Sequence, residues 1–427
     1  AVVTVGNADT ASITFAGVEF TTSGLQLFTA DAYSITGADS TFGSSNDNIT
    51  FTDGGADGGI TLADIADLTI TTELGGSGGG NIAVNVPIAG TSGDGDDATD
   101  VTMTAGSGTI TVEDITTDIN DVLLTSTGGI SLDGSITTAV DSDETGATSG
   151  VVTLTGPVTL AGNTTIDTDS TSNNGAVTFS STVDGAKTLT ITSGSGAVEF
   201  GGNIGATTAL GDVTVNSSAG TGTITFSGNV GADATTVGAA VVTVGNADTA
   251  SITFAGVEFT TSGLQLFTAD AYSITGADST FGSSNDNITF TDGGADGGIT
   301  LADIADLTIT TELGGSGGGN IAVNVPIAGT SGDGDDATDV TMTAGSGTIT
   351  VEDITTDIND VLLTSTGGIS LDGSITTAVD SDETGATSGV VTLTGPVTLA
   401  GNTTIDTDST SNNGAVTFSS TVDGAKT

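Results

Sequence analysis

The sequence contains no cysteine, histidine, tryptophan or arginine, and its only basic residues are Lys187 and Lys426. The missing cysteine and histidine exclude a disulfide framework, a Cys/His zinc site and Ser-His or Cys-His catalysis. The near absence of basic residues excludes the positively charged surface that nucleic-acid-binding proteins use. No apolar run approaches the roughly 18–20 residues that a membrane-spanning helix needs.

The residues that are abundant favour short strands joined by tight turns. Glycine accounts for 67 of the 427 residues and proline for only 4, while the β-branched residues Thr, Val and Ile are frequent. The net charge is −51, yet 35% of the residues are hydrophobic. Because these hydrophobic residues occur in regular patterns, the chain is not a disordered acidic tail.

The chain repeats itself without a single change. Residues 1–188 recur as residues 240–427, so the complete unit is 1–239 and the second copy, 240–427, lacks the last 51 residues (2 × 239 − 427 = 51). The second copy stops at AKT, where the first continues as AKTLTIT in a strand-like alternation. We therefore expect the chain to be an excerpt of a longer array of repeats. An artificial duplication is the alternative.

A shorter motif recurs inside this unit: an apolar residue, a polar residue that is usually Thr, and a second apolar residue. It occurs about nine times in 239 residues, at spacings of 20 to 36 residues. Side chains alternate between the two faces of a strand, so both apolar residues face inward. The first predicted column is Val152, Val177, Val198, Ile224, Ile252, Ile288, Ile321, Ile349 and Ile369. The second is Leu154, Phe179, Phe200, Phe226, Phe254, Phe290, Val323, Val351 and Leu371, with five successive phenyl rings stacked.

This regularity favours an all-β fold, a parallel β-solenoid of about nine coils per 239-residue repeat. In a solenoid, equivalent residues of successive coils stack at the strand spacing of about 4.8 Å, which explains why one motif returns every 27 residues or so. A tandem of β-sandwich domains is the alternative, because it also uses short strands with frequent turns.

The recurrent [VI]-T-[FL] strands and the glycine-rich turns between them resemble the β-strand repeats of filamentous-haemagglutinin-like and autotransporter-type bacterial surface proteins. The resemblance covers the whole chain, but it lies in the style of the repeats and transfers no functional residue. It implies a right-handed parallel β-helix, export to the cell surface, and a role in adhesion or as a surface fibre.

We expect a secreted structural fibre, with a mechanical or adhesive role and no catalysis. Its expected partners are further copies of the same repeat and divalent cations. Two alternatives are a passive stalk that carries a distal adhesin or enzyme, and a subunit of a surface layer or sheath. Carboxylate pairs do occur, but a glycosidase also needs a cleft and substrate contacts, and only 4% of the residues are aromatic.

Acid-rich segments are candidate calcium sites, because Asp alternating with Gly in a turn gathers oxygen ligands. Solvated acidic loops are the simpler interpretation. The main candidates are Asp94, Asp96, Asp97 and Asp100, with Asp333, Asp335, Asp336 and Asp339 in the second copy. Weaker candidates are Asp141, Asp143 and Glu144, with Asp380, Asp382 and Glu383, and the pairs Asp167 with Asp169 and Asp406 with Asp408. No other cofactor is expected.

The predicted solenoid has a linear charge density close to that of DNA. One repeat holds 28 acidic residues and one lysine, which leaves 27 net negative charges (28 − 1 = 27). Nine coils rise roughly 43 Å, so there is about one charge per 1.6 Å, against ~1.7 Å in double-stranded DNA.

Divalent cations should therefore condense on the chain. We expect millimolar calcium or magnesium to raise the melting temperature or to bundle the fibres, as measured by thermal denaturation and light scattering. The prediction fails if a chelator leaves both melting and scattering unchanged.

Overall fold

The computed structural model describes residues 2–37, 39–55, 58–64, 66–74, 76, 78–91, 99–138, 150–169, 174–216, 220–232, 236–276, 278–295, 297–303, 305–313, 315, 317–330, 338–377, 389–408 and 413–427. All regular structure in these residues is β-strand, and none of it is helical. The chain divides into a first unit, Ala1–Gly202, and a second unit, Asn203–Thr427.

The first unit contains 24 short strands in its described residues. They are β1 (Val3–Gly6), β2 (Ile13–Ala16), β3 (Glu19–Thr22), β4 (Gln26–Ala30), β5 (Tyr33–Thr36), β6 (Ser40–Ser44), β7 (Ile49–Asp53), β8 (Ile60–Leu62), β9 (Leu68–Thr71), β10 (Ile82–Asn85), β11 (Ile88–Gly90), β12 (Thr99–Gly106), β13 (Ile110–Val112), β14 (Ile115–Thr116), β15 (Ile119–Ser126), β16 (Ile130–Leu132), β17 (Ile136–Thr137), β18 (Val152–Thr155), β19 (Val158–Leu160), β20 (Thr164–Asp167), β21 (Val177–Phe179), β22 (Val183–Asp184), β23 (Leu189–Thr192) and β24 (Val198–Phe200).

Every third strand of the first unit belongs to the same sheet, and all neighbours pair in parallel. Wall one comprises β1, β4, β7, β10, β13, β16, β19 and β22. Wall two comprises β2, β5, β8, β11, β14, β17, β20 and β23. Wall three comprises β3, β6, β9, β12, β15, β18, β21 and β24. One coil therefore consists of three consecutive strands, one in each wall.

The second unit contains β25 (Val213–Val215), β26 (Thr223–Phe226), β27 (Val242–Gly245), β28 (Ser251–Phe254), β29 (Glu258–Thr261), β30 (Gln265–Ala269), β31 (Tyr272–Ile274), β32 (Ser279–Ser283), β33 (Ile288–Asp292), β34 (Ile299–Leu301), β35 (Leu307–Thr310), β36 (Ile321–Asn324), β37 (Ile327–Gly329), β38 (Thr338–Gly345), β39 (Ile349–Val351), β40 (Ile354–Thr355), β41 (Ile358–Ser365), β42 (Ile369–Leu371), β43 (Ile375–Thr376), β44 (Val391–Thr394), β45 (Val397–Leu399), β46 (Ile405–Asp406), β47 (Val416–Phe418) and β48 (Val422–Asp423).

From β27 onward the second unit follows the same rule with its own three walls, and β25 and β26 extend two of these walls. Wall four comprises β25, β27, β30, β33, β36, β39, β42, β45 and β48. Wall five comprises β26, β28, β31, β34, β37, β40, β43 and β46. Wall six comprises β29, β32, β35, β38, β41, β44 and β47. Each unit is thus a parallel β-solenoid, as predicted, and the tandem of β-sandwiches is wrong because sandwich sheets are antiparallel.

Inward side chains stack directly on their equivalents in the next coil. In wall three, Val152 pairs with Val177 and Val177 with Val198. The rings of Phe179 and Phe200 lie parallel, with centroids 5.3 Å apart and planes at 6°. The predicted columns are confirmed for this part of the first unit, and the intervening Thr residues face outward.

The predicted columns are wrong between Ile252 and Ile288. Ile252 in wall five pairs with Tyr272, whereas Ile288 lies in wall four and pairs with Gln265. The coil is only 20 residues long at this point, and its strands begin with Gln and Tyr, so the apolar–Thr–apolar motif did not reveal them.

The predicted five-ring stack is consequently divided between walls. Phe226 and Phe254 stack in wall five with centroids 5.7 Å apart, while Phe290 stacks on Phe267 in wall four at 4.9 Å. In the coils that precede Phe290, the rings of Phe254, Phe259, Phe267 and Phe281 form a cluster of mostly edge-to-face contacts. Aromatic pairs prefer this geometry.

The neighbours Leu123 and Leu124 on β15 provide a test of this packing. Leu124 is fully buried, whereas Leu123 faces outward and is 39% exposed. We expect Leu124→Ala to lower the free energy of unfolding by about 2–5 kcal/mol, because it leaves a cavity. Leu123→Ala should change it by no more than about 0.5 kcal/mol. Urea denaturation followed by circular dichroism measures both, and equal losses would contradict the assigned facing.

Candidate functional site at the acidic corner

Three segments of the sequence, the first two of them acid-rich, connect wall two to wall three of the first unit. Residues 92–98 connect β11 to β12, residues 139–149 connect β17 to β18, and residues 170–173 connect β20 to β21. The corresponding segments of the second unit connect wall five to wall six. We call these two positions the acidic corner of each unit.

Most of the predicted calcium ligands lie outside the described residues. These are Asp94, Asp96, Asp97, Asp141, Asp143 and Glu144, together with Asp333, Asp335, Asp336, Asp380, Asp382 and Glu383. Asp100 and Asp339 are described, and both belong to a regular arrangement at the acidic corner. In the pairs predicted as weaker sites, the backbone N–H of Asp169 donates to the Asp167 carboxylate at 3.0 Å, and Asp408 donates to Asp406 at the same distance.

Asp100 is one rung of a ladder of aspartates, each of which directly precedes one of the stacked wall-three residues Ser40, Leu68, Val101 and Val122. Asp67 Oδ1 accepts a hydrogen bond from the N–H of Asp100 at 2.9 Å. Asp100 Oδ1 in turn accepts from the N–H of Asp121 at 3.0 Å and from Asn120 Nδ2 at 3.1 Å. The ladder continues below, where Asp39 accepts from Asp67, and above, where Asp121 accepts from Val151. Each carboxylate therefore binds the backbone of the following coil.

The second unit contains the same ladder, formed by Asp278, Asp306, Asp339 and Asp360. Carboxylates about 4.8 Å apart repel each other by about 1 kcal/mol in the dielectric of bulk water. A hydrogen bond to a charged group contributes about 1.5–3 kcal/mol. The backbone contacts thus offset the repulsion and hold a row of negative charge along the corner.

Buried hydroxyl groups close the bases of the corner loops. Thr138 Oγ1 donates to the carbonyl of Gly150 at 2.8 Å, across the eleven residues between them. Thr168 Oγ1 donates to the carbonyl of Gly175 at 2.7 Å, across six residues. The second unit repeats both bonds at 2.9 Å, from Thr377 to Gly389 and from Thr407 to Gly414. An inward Thr and a Gly before the next strand therefore fix the ends of a loop whatever its length.

A second acidic group lies at another corner, where wall four passes into wall five. A surface cavity of about 270 Å³ is lined by Asp292, Gly297, Asn324, Val325, Pro326 and Glu352. Burial raises the pKa of the Glu352 carboxyl, and repulsion from Asp372, Asp353 and Asp292 adds to the shift. In the first unit, burial together with Asp133, Asp114 and Asp53 likewise raises the pKa of Glu113.

Among the described residues, no three acidic side chains lie close enough together to hold a metal ion jointly. The same part of the chain contains no helix with the length and apolar character needed to span a bilayer. The aspartates described at the acidic corner therefore form extended rows, and the densest acidic segments of the sequence lie outside the described residues.

Inspection of the sequence missed both the aspartate ladder and the loop-closing hydroxyls. The signal for the ladder is an Asp directly before an inward residue that recurs in successive wall-three strands, at Asp39, Asp67, Asp100 and Asp121. Only Asp100 drew attention, because it also belongs to the dense GDGDDATD segment.

Comparison of the chain with protein-family models, curated proteins and solved structures finds no match. The function must therefore be argued from the residues and their arrangement.

The crowded glutamates predict an unusual pH dependence. Because the folded-state pKa of Glu113 and of Glu352 is raised above the ordinary value of 4.5, the folded chain binds these protons more tightly than the unfolded chain. The free energy of unfolding should rise as the pH falls from neutral through the raised pKa values, and this gain is complete near pH 4.5.

The measurement is the melting temperature between pH 7.5 and 4.5. Glu113→Gln with Glu352→Gln should raise the melting temperature at pH 7.5 and flatten its dependence on pH. Glu19→Gln with Glu258→Gln removes the same number of charges from outward wall positions and is the matched control. Equal effects of the two double variants would contradict the prediction.

The loop-closing hydroxyls predict a difference between adjacent threonines. Thr138→Val keeps the volume of the side chain but leaves the buried Gly150 carbonyl without its partner, which we expect to destabilise the first unit by about 1–3 kcal/mol. Thr137 faces outward on β17, so Thr137→Val should have little effect. Denaturant unfolding of the two variants gives the answer, and similar stabilities would refute the role of the hydroxyl.

Proposed function

We propose that the protein is an extracellular structural fibre, assembled from long identical repeats, with a mechanical or adhesive role and no catalysis. The observation that carries this proposal is the pairing of each inner coil, in parallel, with the coil before it and the coil after it. In such an architecture, length increases by adding coils, and no new fold is required.

The identity of the two copies supports a role that depends on repetition. Residues 1–188 and 240–427 agree at outward as well as inward positions, although packing alone constrains only the inward ones. A repeated surface suits a fibre that presents the same groups along its length. It also suits a passive stalk, the second candidate, whose contribution would be distance.

The distribution of charge supports divalent cations as partners. The acidic corner places a row of carboxylates along each unit, and this row includes Asp100 and Asp339, the two main calcium-ligand candidates that the structure describes. We propose that calcium or magnesium binds along this row of carboxylates and reduces the repulsion within and between fibres. Further copies of the repeat are the proposed protein partners.

We propose the cell surface as the location of this fibre. The resemblance of the repeats to those of exported bacterial surface proteins supports it, and so does a high negative charge, which keeps neighbouring fibres apart at low salt.

Immuno-electron microscopy of the source cells tests the proposal, with antibodies raised against residues 1–239. The expected result is label along uniform extracellular filaments, at intervals of roughly 43 Å per repeat or multiples of it. Label confined to the cell interior, or to separate globular particles, would overturn it. Label along a thin shaft that ends in an unlabelled distal head would favour the stalk.

A further inference from the structure

One coil in each unit differs from the others because it carries a buried polar side chain in each of its three walls. In the first unit this polar coil is formed by β4, β5 and β6. Its inward residues Gln26, Tyr33 and Ser40 are at most 1% exposed. Aliphatic residues occupy the equivalent positions of the following coil, namely Ile49, Ile60 and Leu68.

Gln26 binds the polar coil to the coil before it. Its Nε2 donates to the carbonyl of Phe20 at 3.1 Å and to Thr22 Oγ1 at 3.1 Å, both on β3. A third contact, at 2.7 Å, reaches the carbonyl of Gly43 in its own coil. All three partners are oxygen acceptors, so the amide has one favourable orientation, and this leaves the buried Oε1 without a hydrogen bond.

The other two walls make further contacts of this kind. Ser40 Oγ accepts from the N–H of Val18, in the preceding coil, at 3.2 Å. The Tyr33 hydroxyl donates to the carbonyl of Thr52, in the following coil, at 2.7 Å. The polar coil is thus bonded to the coil before it in two walls and to the coil after it in one.

The second unit contains the same polar coil, formed by β30, β31 and β32. Gln265 Nε2 donates to the carbonyls of Phe259 and Gly282, at 3.1 and 2.7 Å. Tyr272 donates to Thr291, and Ser279 accepts from Val257. Each 239-residue repeat therefore contains the arrangement once.

The remaining coils have little to distinguish them. Their inward positions are mostly Ile, Val and Leu, and the corner loops accommodate coils of 20 residues, from Ile110 to Ile130, as well as 33 residues, from Ile49 to Ile82. Apolar packing alone would therefore tolerate a displacement of one coil. The polar coil, by contrast, has contacts that depend on which coil precedes it: a displacement separates Gln26 from the Phe20 carbonyl and from Thr22 Oγ1. It also separates Ser40 Oγ from the N–H of Val18. A buried polar group that loses its partner in this way is strongly unfavourable.

We propose that the polar coil sets the register in which the coils of each repeat stack. The unpaired Oε1 of Gln26 supports this role, because a leucine at that position would avoid the unsatisfied group, and buried polar residues are known to select one register at the expense of stability. The inference rests on the solenoid fold and does not depend on the proposed fibre function.

Engineered disulfides report the register directly, since the chain has no cysteine of its own. Leu266 of the polar coil lies beside Thr243, and Thr243 lies beside Thr214 in the strand before. The pair Thr243→Cys with Leu266→Cys should cross-link in the native register. The pair Thr214→Cys with Leu266→Cys should cross-link only after a displacement that skips β27 and so separates Gln265 from Phe259 and Ser279 from Val257, because a disulfide needs Cα atoms within about 7 Å.

Both reporter pairs are introduced into three backgrounds. Each resulting protein is unfolded, refolded and then oxidised. The first is the parent chain. The second, the test variant, replaces the polar side chains in both copies: Gln26→Leu, Tyr33→Phe, Ser40→Ala, Gln265→Leu, Tyr272→Phe and Ser279→Ala. The third, the matched control, carries Ile49→Val, Ile60→Val, Leu68→Val, Ile288→Val, Ile299→Val and Leu307→Val, which weaken packing but remove no polar contact.

We expect the parent and the control to form only the cross-link between positions 243 and 266. The test variant should also form the 214–266 cross-link, in a tenth or more of the chains. A test variant that refolds with the 243–266 cross-link alone would overturn the proposal, whether its melting temperature is lowered or not. If this variant fails to refold, the experiment is repeated with a milder variant that removes only hydroxyl groups: Tyr33→Phe, Ser40→Ala, Tyr272→Phe and Ser279→Ala. The cross-link of the displaced register is again the expected result, and its absence would overturn the proposal.

Discussion

The structure depends on the parallel, in-register pairing of each strand with its equivalents in the coils before and after it. This pairing satisfies the backbone groups of the inner strands and superimposes side chains of similar size, as with Val152, Val177 and Val198 in wall three. Because the same contacts recur from coil to coil, a core is built from small and medium-sized side chains without disulfides or helices. The high content of Thr and Gly has the same origin, since the outward face requires β propensity and the corners require tight turns.

A net charge of −51 is compatible with this fold because the described acidic side chains avoid the inward positions of the walls. The outward positions of wall three, such as Thr69, Thr102 and Thr153, are mostly uncharged. The aspartates at the acidic corner, in contrast, accept hydrogen bonds from the backbone of the next coil. The charge therefore helps to join successive coils in addition to keeping the protein hydrated. The crowded carboxyls of Glu113 and Glu352 are exceptions, because burial and repulsion oppose their ionisation.

The sequence was sufficient to predict the class of fold and much of the core, because both are consequences of local periodicity. The apolar–Thr–apolar motif correctly identified strands such as Val177–Phe179 and Ile321–Asn324. It failed where Gln265 and Tyr272 occupy positions that are aliphatic in other coils, and the predicted column therefore passed from one wall to another.

The features of the candidate site were harder to predict, because they join residues that are distant along the chain. Asp67 and Asp100 are 33 residues apart, yet they occupy adjacent rungs. Thr138 resembles any other threonine at the start of a polar loop, and only the fold shows that its hydroxyl is buried. The acidic clusters were apparent because their residues are close together in the sequence, whereas the aspartates of the ladder are close together only in the folded chain.

The most direct test of this account is an experimental density map of the chain at a resolution that shows side chains. The account predicts that Val152, Val177 and Val198 lie directly above one another at about 4.8 Å, in three parallel strands of one wall, with the phenyl rings of Phe179 and Phe200 stacked beside them. Antiparallel neighbours at these strands, or the same residues in separate hydrophobic cores, would contradict it.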